Sequence, residues 1–333
     1  APCMRFLWKH GSDDTKSGTP VNEKGLFDGL LLFRFTVLNN RASDFADRQM
    51  YSQDFIGFTG NPGVHRILRE EKMIDFHTHM FPEKIAPKTL HFLSERCKTV
   101  PFTDGTPQGL AASAEEAGLE CSVALPVVTN PEQFDSINRF AEQYRDGRIL
   151  SFGGIHPENE DYKKKLLYLK DHGFPGIKLH PDYQDTFFND IRYKRIISFA
   201  SELDMIVSVH AGFDPGYPDR VHCTPAMAAE MLEEVQPTRL VLAHMGGFLR
   251  WDEVEQELVG RDVWFDTAVV FGQIPDEQFL RICRNHGTDR ILFATDSPWS
   301  GQKESVEYFR KMDLTEAEKT QILGENAKKL LTL

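Results

Sequence analysis

The 333-residue chain offers no run long and apolar enough to cross a bilayer as a helix. Its most apolar early stretch, residues 29–37, is short and broken by Arg34. It follows Glu23, Lys24 and Asp28 rather than a basic segment, so it does not read as a secretion signal. Cysteine is scarce: Cys3, Cys97, Cys121, Cys223 and Cys283 are widely spaced, odd in number and free of any Cys-x-x-Cys pair. That excludes a disulfide framework and points to a reducing compartment, the cytoplasm, with the thiols acting as small buried hydrophobes. No Gly-x-Gly-x-x-Gly follows a strand-like run, which removes the signature of a dinucleotide-binding open sheet. A net charge of −12 repels phosphate backbones, so nucleic acid is not an expected partner.

What is present is the composition of a globular protein with a sizeable core, 41% hydrophobic and 26% charged. The charge is uneven. Residues 1–72 hold 10 basic and 9 acidic residues, leaving 28 and 41 for the remainder. This first segment shows no sustained strand–helix alternation. It reads as an N-terminal extension, poorly ordered or non-native. Arg69-Glu70-Glu71-Lys72 would be encoded by purine-rich codons resembling a ribosome-binding site, which makes Met73 the expected natural start.

From residue 73 onward eight apolar runs alternate with helical stretches. The runs are 73–79, 121–128, 149–156, 176–180, 205–210, 240–244, 263–270 and 291–296. Near-continuous apolar runs are the mark of parallel strands buried on both faces. Helices are expected at 131–145, 161–172, 193–204, 225–235 and 275–286. A last one runs to 331 from the capping box Thr315-Glu316-Ala317-Glu318. Eight such units over residues 73–333 predict an α/β protein, a (β/α)8 TIM barrel.

Chemistry in such a barrel sits at the C-terminal strand ends. The first run ends Phe76-His77-Thr78-His79, and alternation along a strand turns His77 and His79 to one side. The fifth run ends on His210, the sixth on His244 and the eighth on Asp296. Imidazole and carboxyl groups buried at strand ends are costly unless paired or coordinated, and four such endings together point to a metal site.

His77-x-His79, His210, His244 and Asp296, in this order, resemble the amidohydrolase superfamily. The flanking Gly176-Ile177-Lys178-Leu179-His180-Pro181, Ala243-His244-Met245-Gly246-Gly247 and Asp296-Ser297-Pro298-Trp299 resemble its amidohydrolase-related branch. That branch includes aminocarboxymuconate-semialdehyde decarboxylase and many uncharacterised metal-dependent hydrolases. The resemblance spans residues 73–333. It implies that His77, His79, His210 and Asp296 hold one divalent ion, zinc first, with manganese, iron or cobalt as alternatives. Asp296 would also take the proton of the attacking water, and His244 would act as acid/base on the carbonyl or the water. Lys178 has two implied roles: carbamylated, it would bridge a second metal together with His244; otherwise it would pair with Asp296 or a substrate carboxylate.

His156, His180 and Trp299 are further candidates for substrate binding, and Phe81 for the pocket wall. Asp266 is expected to hydrogen-bond locally, and Asp219 and Arg220 to lie in a solvated loop. The expected substrate is a small molecule. Hydrolysis of an amide, lactone or ester is the first reading, and decarboxylation of an aromatic or unsaturated acid, as a metal-dependent carboxy-lyase, the second. Hydrolysis leads because a carboxylate clamp needs arginine, and few arginines directly follow the strand ends. The oligomeric state is left open, with a homodimer the first candidate because dimers are common among soluble enzymes.

Overall fold

The computed structural model describes residues 72–145 and 147–333. The N-terminal extension expected for residues 1–72 therefore lies, apart from Lys72, outside the described residues.

Parallel strands alternate with helices throughout, and the architecture is that of the (β/α)8 barrel. The strands are β1 (Met73–Thr78), β2 (Leu119–Ala124), β3 (Ile149–Ser151), β4 (Gly153–Gly154), β5 (Gly176–Leu179), β6 (Ile206–Val209), β7 (Leu240–Leu242), β8 (Trp264–Asp266) and β9 (Ile291–Leu292). Every pairing is parallel, in the orders β1-β2-β3 and β4 through β9. The expected third run, 149–156, is thus divided at Phe152, whose own N–H is given to Ala124 O at 2.9 Å. Backbone bonds also join β1 to the chain around β9: Phe76 N–H donates to Phe293 O at 2.9 Å and Asp296 N–H to His77 O at 2.8 Å.

Apolar side chains pack the strands together. Ile74, Phe76, Val123, Phe152, Ile206, Val241, Leu292 and Ala294 are buried in one cluster. Burying branched and aromatic side chains at roughly 25 cal/mol per Å² is the main force holding the strands together. The outer layer comprises the helices α1 (Ala86–Cys97), α2 (Pro107–Glu116), α3 (Phe134–Ala141), α4 (Tyr162–Asp171), α5 (Ile191–Glu202), α6 (Pro225–Glu234), α7 (Trp251–Glu257), α8 (Asp276–His286), α9 (Gln302–Arg310), α10 (Glu316–Thr320) and α11 (Asn326–Leu331). Local chemistry starts them cleanly. α2 and α6 open on Thr-Pro, with Thr106 and Thr224 accepting the N–H of Gly109 and Met227.

The expected capping box is present, Thr315 and Glu318 each satisfying the other's backbone N–H. The single terminal helix is not. A wider π-type turn, Gln321–Glu325, separates α10 from α11. Such a turn frees a carbonyl from the helix ladder, and Ile322 O accepts Phe293 N–H at 3.0 Å. Gly324 lies within it against Lys72 O, an approach no side chain would allow.

Of the described cysteines, Cys121, Cys223 and Cys283 are buried and Cys97 half-buried, and none is in a disulfide. Among the described residues no helix is long and apolar enough to cross a membrane.

Candidate metal centre

Three of the four expected ligands converge at the strand ends. His77 Nε2 lies 3.2 Å from His79 Nε2 and 3.4 Å from Asp296 Oδ1, and His79 Nε2 is 3.0 Å from Asp296 Oδ1. The state of each ring follows from its other nitrogen. His77 Nδ1 donates to Asp266 Oδ2 at 2.9 Å, and His79 Nδ1 donates to Leu125 O at 2.9 Å. With Nδ1 so engaged, each ring turns its Nε2 toward Asp296 Oδ1, and Lys178 Nζ lies 3.2 Å from His77 Nε2. Lone-pair atoms at this spacing repel unless positive charge sits near them, and Lys178 supplies some at His77 Nε2 alone. Two imidazoles and a carboxylate, each braced from behind, fit a divalent transition metal.

Electrostatics favours the ligand forms of His77 and Asp296. Burial, reinforced by Lys178, holds the His77 pKa well below the ordinary histidine value, so the ring stays neutral. Burial raises the Asp296 carboxyl, but the facing His77 and His79 outweigh it and bring its pKa down to about 2.

The backbone is bent to deliver these groups. Asp296 has φ 66° and His244 φ 60°, left-handed conformations that cost energy outside glycine and concentrate at functional sites. His244 is anchored three ways. Its N–H donates to Asp266 Oδ1 at 2.9 Å, its Nδ1 donates to Ala268 O at 2.8 Å, and its Nε2 accepts from His210 Nδ1 at 3.0 Å. Lys178, fully buried, points Nζ at His77 Nε2 from 3.2 Å. Burial lowers its pKa to about 8.

His210, the fourth expected ligand, is not among the three atoms grouped at closest spacing. Its Nδ1 is taken by His244, and its Nε2 faces Asp182 and Asp214. It groups with His180 and Asp214 instead, its ring stacked on that of His180 at 4.2 Å. His156 is bound into its own turn, its Nδ1 accepting Glu158 N–H. Trp299 is half-buried just after Asp296, and its N–H donates to Asp296 O at 2.9 Å. Phe81 is half-buried as well. Asp219 and Arg220 are exposed, with Arg220 over the Phe187 ring.

Several residues that matter here give little sign of it in the sequence. Asp266 is buried among His77 and His244 rather than merely local. Asp75, on the same side of β1 as His77, accepts from Thr295 N, Thr295 Oγ1 and Gln302 Nε2 and so latches β1 to the segment carrying Asp296. Gln184 ties Val128 O, Ile155 O, His180 N and Tyr193 OH into one network under the strand ends. Asp182 and Asp214 sit beside His210 in loops that look solvated from sequence alone.

Residues 74–333 match the amidohydrolase family, and the chain belongs to it. No curated protein matches the chain. Among solved structures it is similar to 2,6-dihydroxybenzoate decarboxylase from Rhizobium, 17% identical, covering 78% of this chain and 98% of that one with a TM-score of 0.57. It is also similar to a manganese-bound dihydroxybenzoic acid decarboxylase from a Polaromonas species, 15% identical, covering 78% and 97% with a TM-score of 0.58. A third is a probable 2-pyrone-4,6-dicarboxylic acid hydrolase from Acinetobacter baumannii, 16% identical, covering 79% and 100% with a TM-score of 0.55. At these identities the likeness shows the fold.

Proposed function

We propose that this protein is a metal-dependent hydrolase acting on a small carbonyl substrate, an amide, lactone or ester. The observation that carries the reading is the convergence of the His77, His79 and Asp296 lone pairs. Zinc suits this donor set, and manganese, iron and cobalt also fit it. A divalent ion held there lowers the pKa of a bound water toward 7 and polarises a carbonyl.

The chain's own residues do the rest. Asp266 and Leu125 O hold the two ligand rings in the tautomer that leaves Nε2 free. Asp296 takes the proton of the water that attacks the carbonyl carbon. His244, with Nδ1–H committed to Ala268 O and Nε2 accepting from His210 Nδ1 at 3.0 Å, would act as acid/base once substrate releases its Nε2 from His210, passing the proton collected by Asp296 to the leaving nitrogen or oxygen as its bond to carbon breaks. Lys178 retains both roles, bridging carbamate or partner of a substrate carboxylate. His180 and Trp299 are the residues proposed to bind the substrate.

Decarboxylation is the second reading, and the solved decarboxylases of similar fold keep it in view. Hydrolysis leads because no arginine, the usual carboxylate clamp, directly follows the strand ends in sequence, and Arg96, which the fold brings near Asp214, faces that carboxylate and the Tyr217 ring. The test is a panel of esters, lactones and amides beside dihydroxybenzoates, assayed with metal-loaded and chelator-stripped protein. Metal-dependent water addition supports the proposal. Release of carbon dioxide without hydrolysis overturns it in favour of the lyase.

A further inference from the structure

We infer that Gln302 is a positioning residue for the metal centre: acting through Asp75, it sets how far the His77 and His79 rings stand from Asp296. The inference rests on the metal reading above. It adds a residue whose side chain hydrogen-bonds to none of the ligands.

The centre straddles a seam. His77 and His79 belong to β1 and the chain leaving it, Asp296 to the chain leaving β9, and these two strands are not partners in either sheet. Backbone bonds cross the seam, Phe76 N–H to Phe293 O and Asp296 N–H to His77 O among them, without forming a ladder. Asp75 reinforces it. Its Oδ1 accepts Thr295 N–H at 3.0 Å and His77 N–H at 3.3 Å, and its Oδ2 accepts the Thr295 hydroxyl at 2.5 Å. One carboxylate thus ties the backbone of His77 to the residue before Asp296.

Gln302 fixes that carboxylate. It opens α9, yet it is only 1% exposed. Its Nε2 donates to Asp75 Oδ2 at 2.8 Å and to Ser122 Oγ at 3.0 Å, and Asp75 and Ser122 are register partners on β1 and β2. The reversed amide would set Oε1 against a carboxylate oxygen, which settles its orientation. Oε1 is left buried without a partner. An apolar side chain would fill the space without that orphan, so stability alone does not account for an amide here. Every donor to Asp75 is neutral, and directional hydrogen bonds rather than a cation hold it in place. Losing the Gln302 bond frees Oδ2 to turn. Thr295 follows it, and Asp296 moves with Thr295. Metal–ligand distances tolerate only about 0.2 Å of error, so a small shift at Asp296 alters the coordination.

The full chain, stripped of metal, is loaded with Co²⁺, whose visible absorption reports coordination geometry, and affinity is read by chelator competition. Urea unfolding gives the stability of each metal-free variant. Wild type is expected to show a Co²⁺ spectrum that Asp296→Ala changes. Gln302→Leu and Gln302→Met are expected to shift it as well and to weaken binding about 10-fold. The double variant Asp75→Asn with Gln302→Leu is expected to lose no more than Asp75→Asn alone. Wild-type spectrum and affinity in both Gln302 variants overturns the inference while the metal reading stands. A lowered unfolding midpoint with an unchanged spectrum overturns it too, making Gln302 a purely structural amide. So do additive losses in the double variant, which place its effect elsewhere than Asp75. If wild type itself takes up no Co²⁺, the metal reading fails and the inference falls with it.

Discussion

Asp266 Oδ2 accepts the Nδ1–H of His77 at 2.9 Å, and that bond turns the His77 Nε2 lone pair into the barrel mouth. Its other oxygen takes the backbone N–H of His244, so one carboxylate on β8 sets two rings from different strands. Asp266→Asn keeps the shape but can offer an N–H where an acceptor is needed. It is expected to weaken metal binding about 10- to 100-fold, the usual cost of removing such a brace. Calorimetry against wild type measures it, and unchanged affinity would show that His77 needs no orienting partner.

His286 gives a stability prediction away from the site. It is buried, stacked on Phe265 at 4.1 Å, donating through Nε2 to Val263 O and accepting Gly260 N–H on Nδ1. Burial lowers its pKa to about 4 from the ordinary 6.5. Its pKa is depressed in the folded state, so the unfolded chain binds the extra proton first. Its contribution is fully present above pH 6.5 and is lost as pH falls toward 4. By pH 5 the loss is about 2 kcal/mol. Urea unfolding at pH 7 and pH 5 should show this for wild type and a smaller pH dependence for His286→Phe.

Gly212, directly after the His210 segment, has φ 89° and donates its N–H to Cys223 O at 2.8 Å. A Cβ there would collide with the backbone of Gly247 and Phe248, just where Phe248 N–H reaches Ala211 O. Gly212→Ala is expected to cost about 2–4 kcal/mol through forced backbone movement. Chemical denaturation reads the loss, and a change under 1 kcal/mol would mean that the two loops are not held together.

Much of this was legible in the residues because parallel strands leave a plain record. The apolar runs marked the barrel, and the polar residues ending several of them marked its mouth, as with His79, His244 and Asp296. The division at Phe152 was hidden, because pairing with β2 and then β5 depends on register rather than composition. The wider turn at Gln321–Glu325 was hidden too, since its cause is the distant N–H of Phe293. His210 was legible as a strand-end imidazole, but its partners were not. Asp182 and Asp214 follow the strand ends by a few residues in loops, and only the fold turns them inward.

The central claim is that His77, His79 and Asp296 share one ion. Anomalous diffraction from crystals of the Mn²⁺- or Zn²⁺-loaded protein tests it most directly. A peak enclosed by His77 Nε2, His79 Nε2 and Asp296 Oδ1, absent in Asp296→Ala, is the predicted result. Metal-loaded crystals with no density at that point would contradict the account.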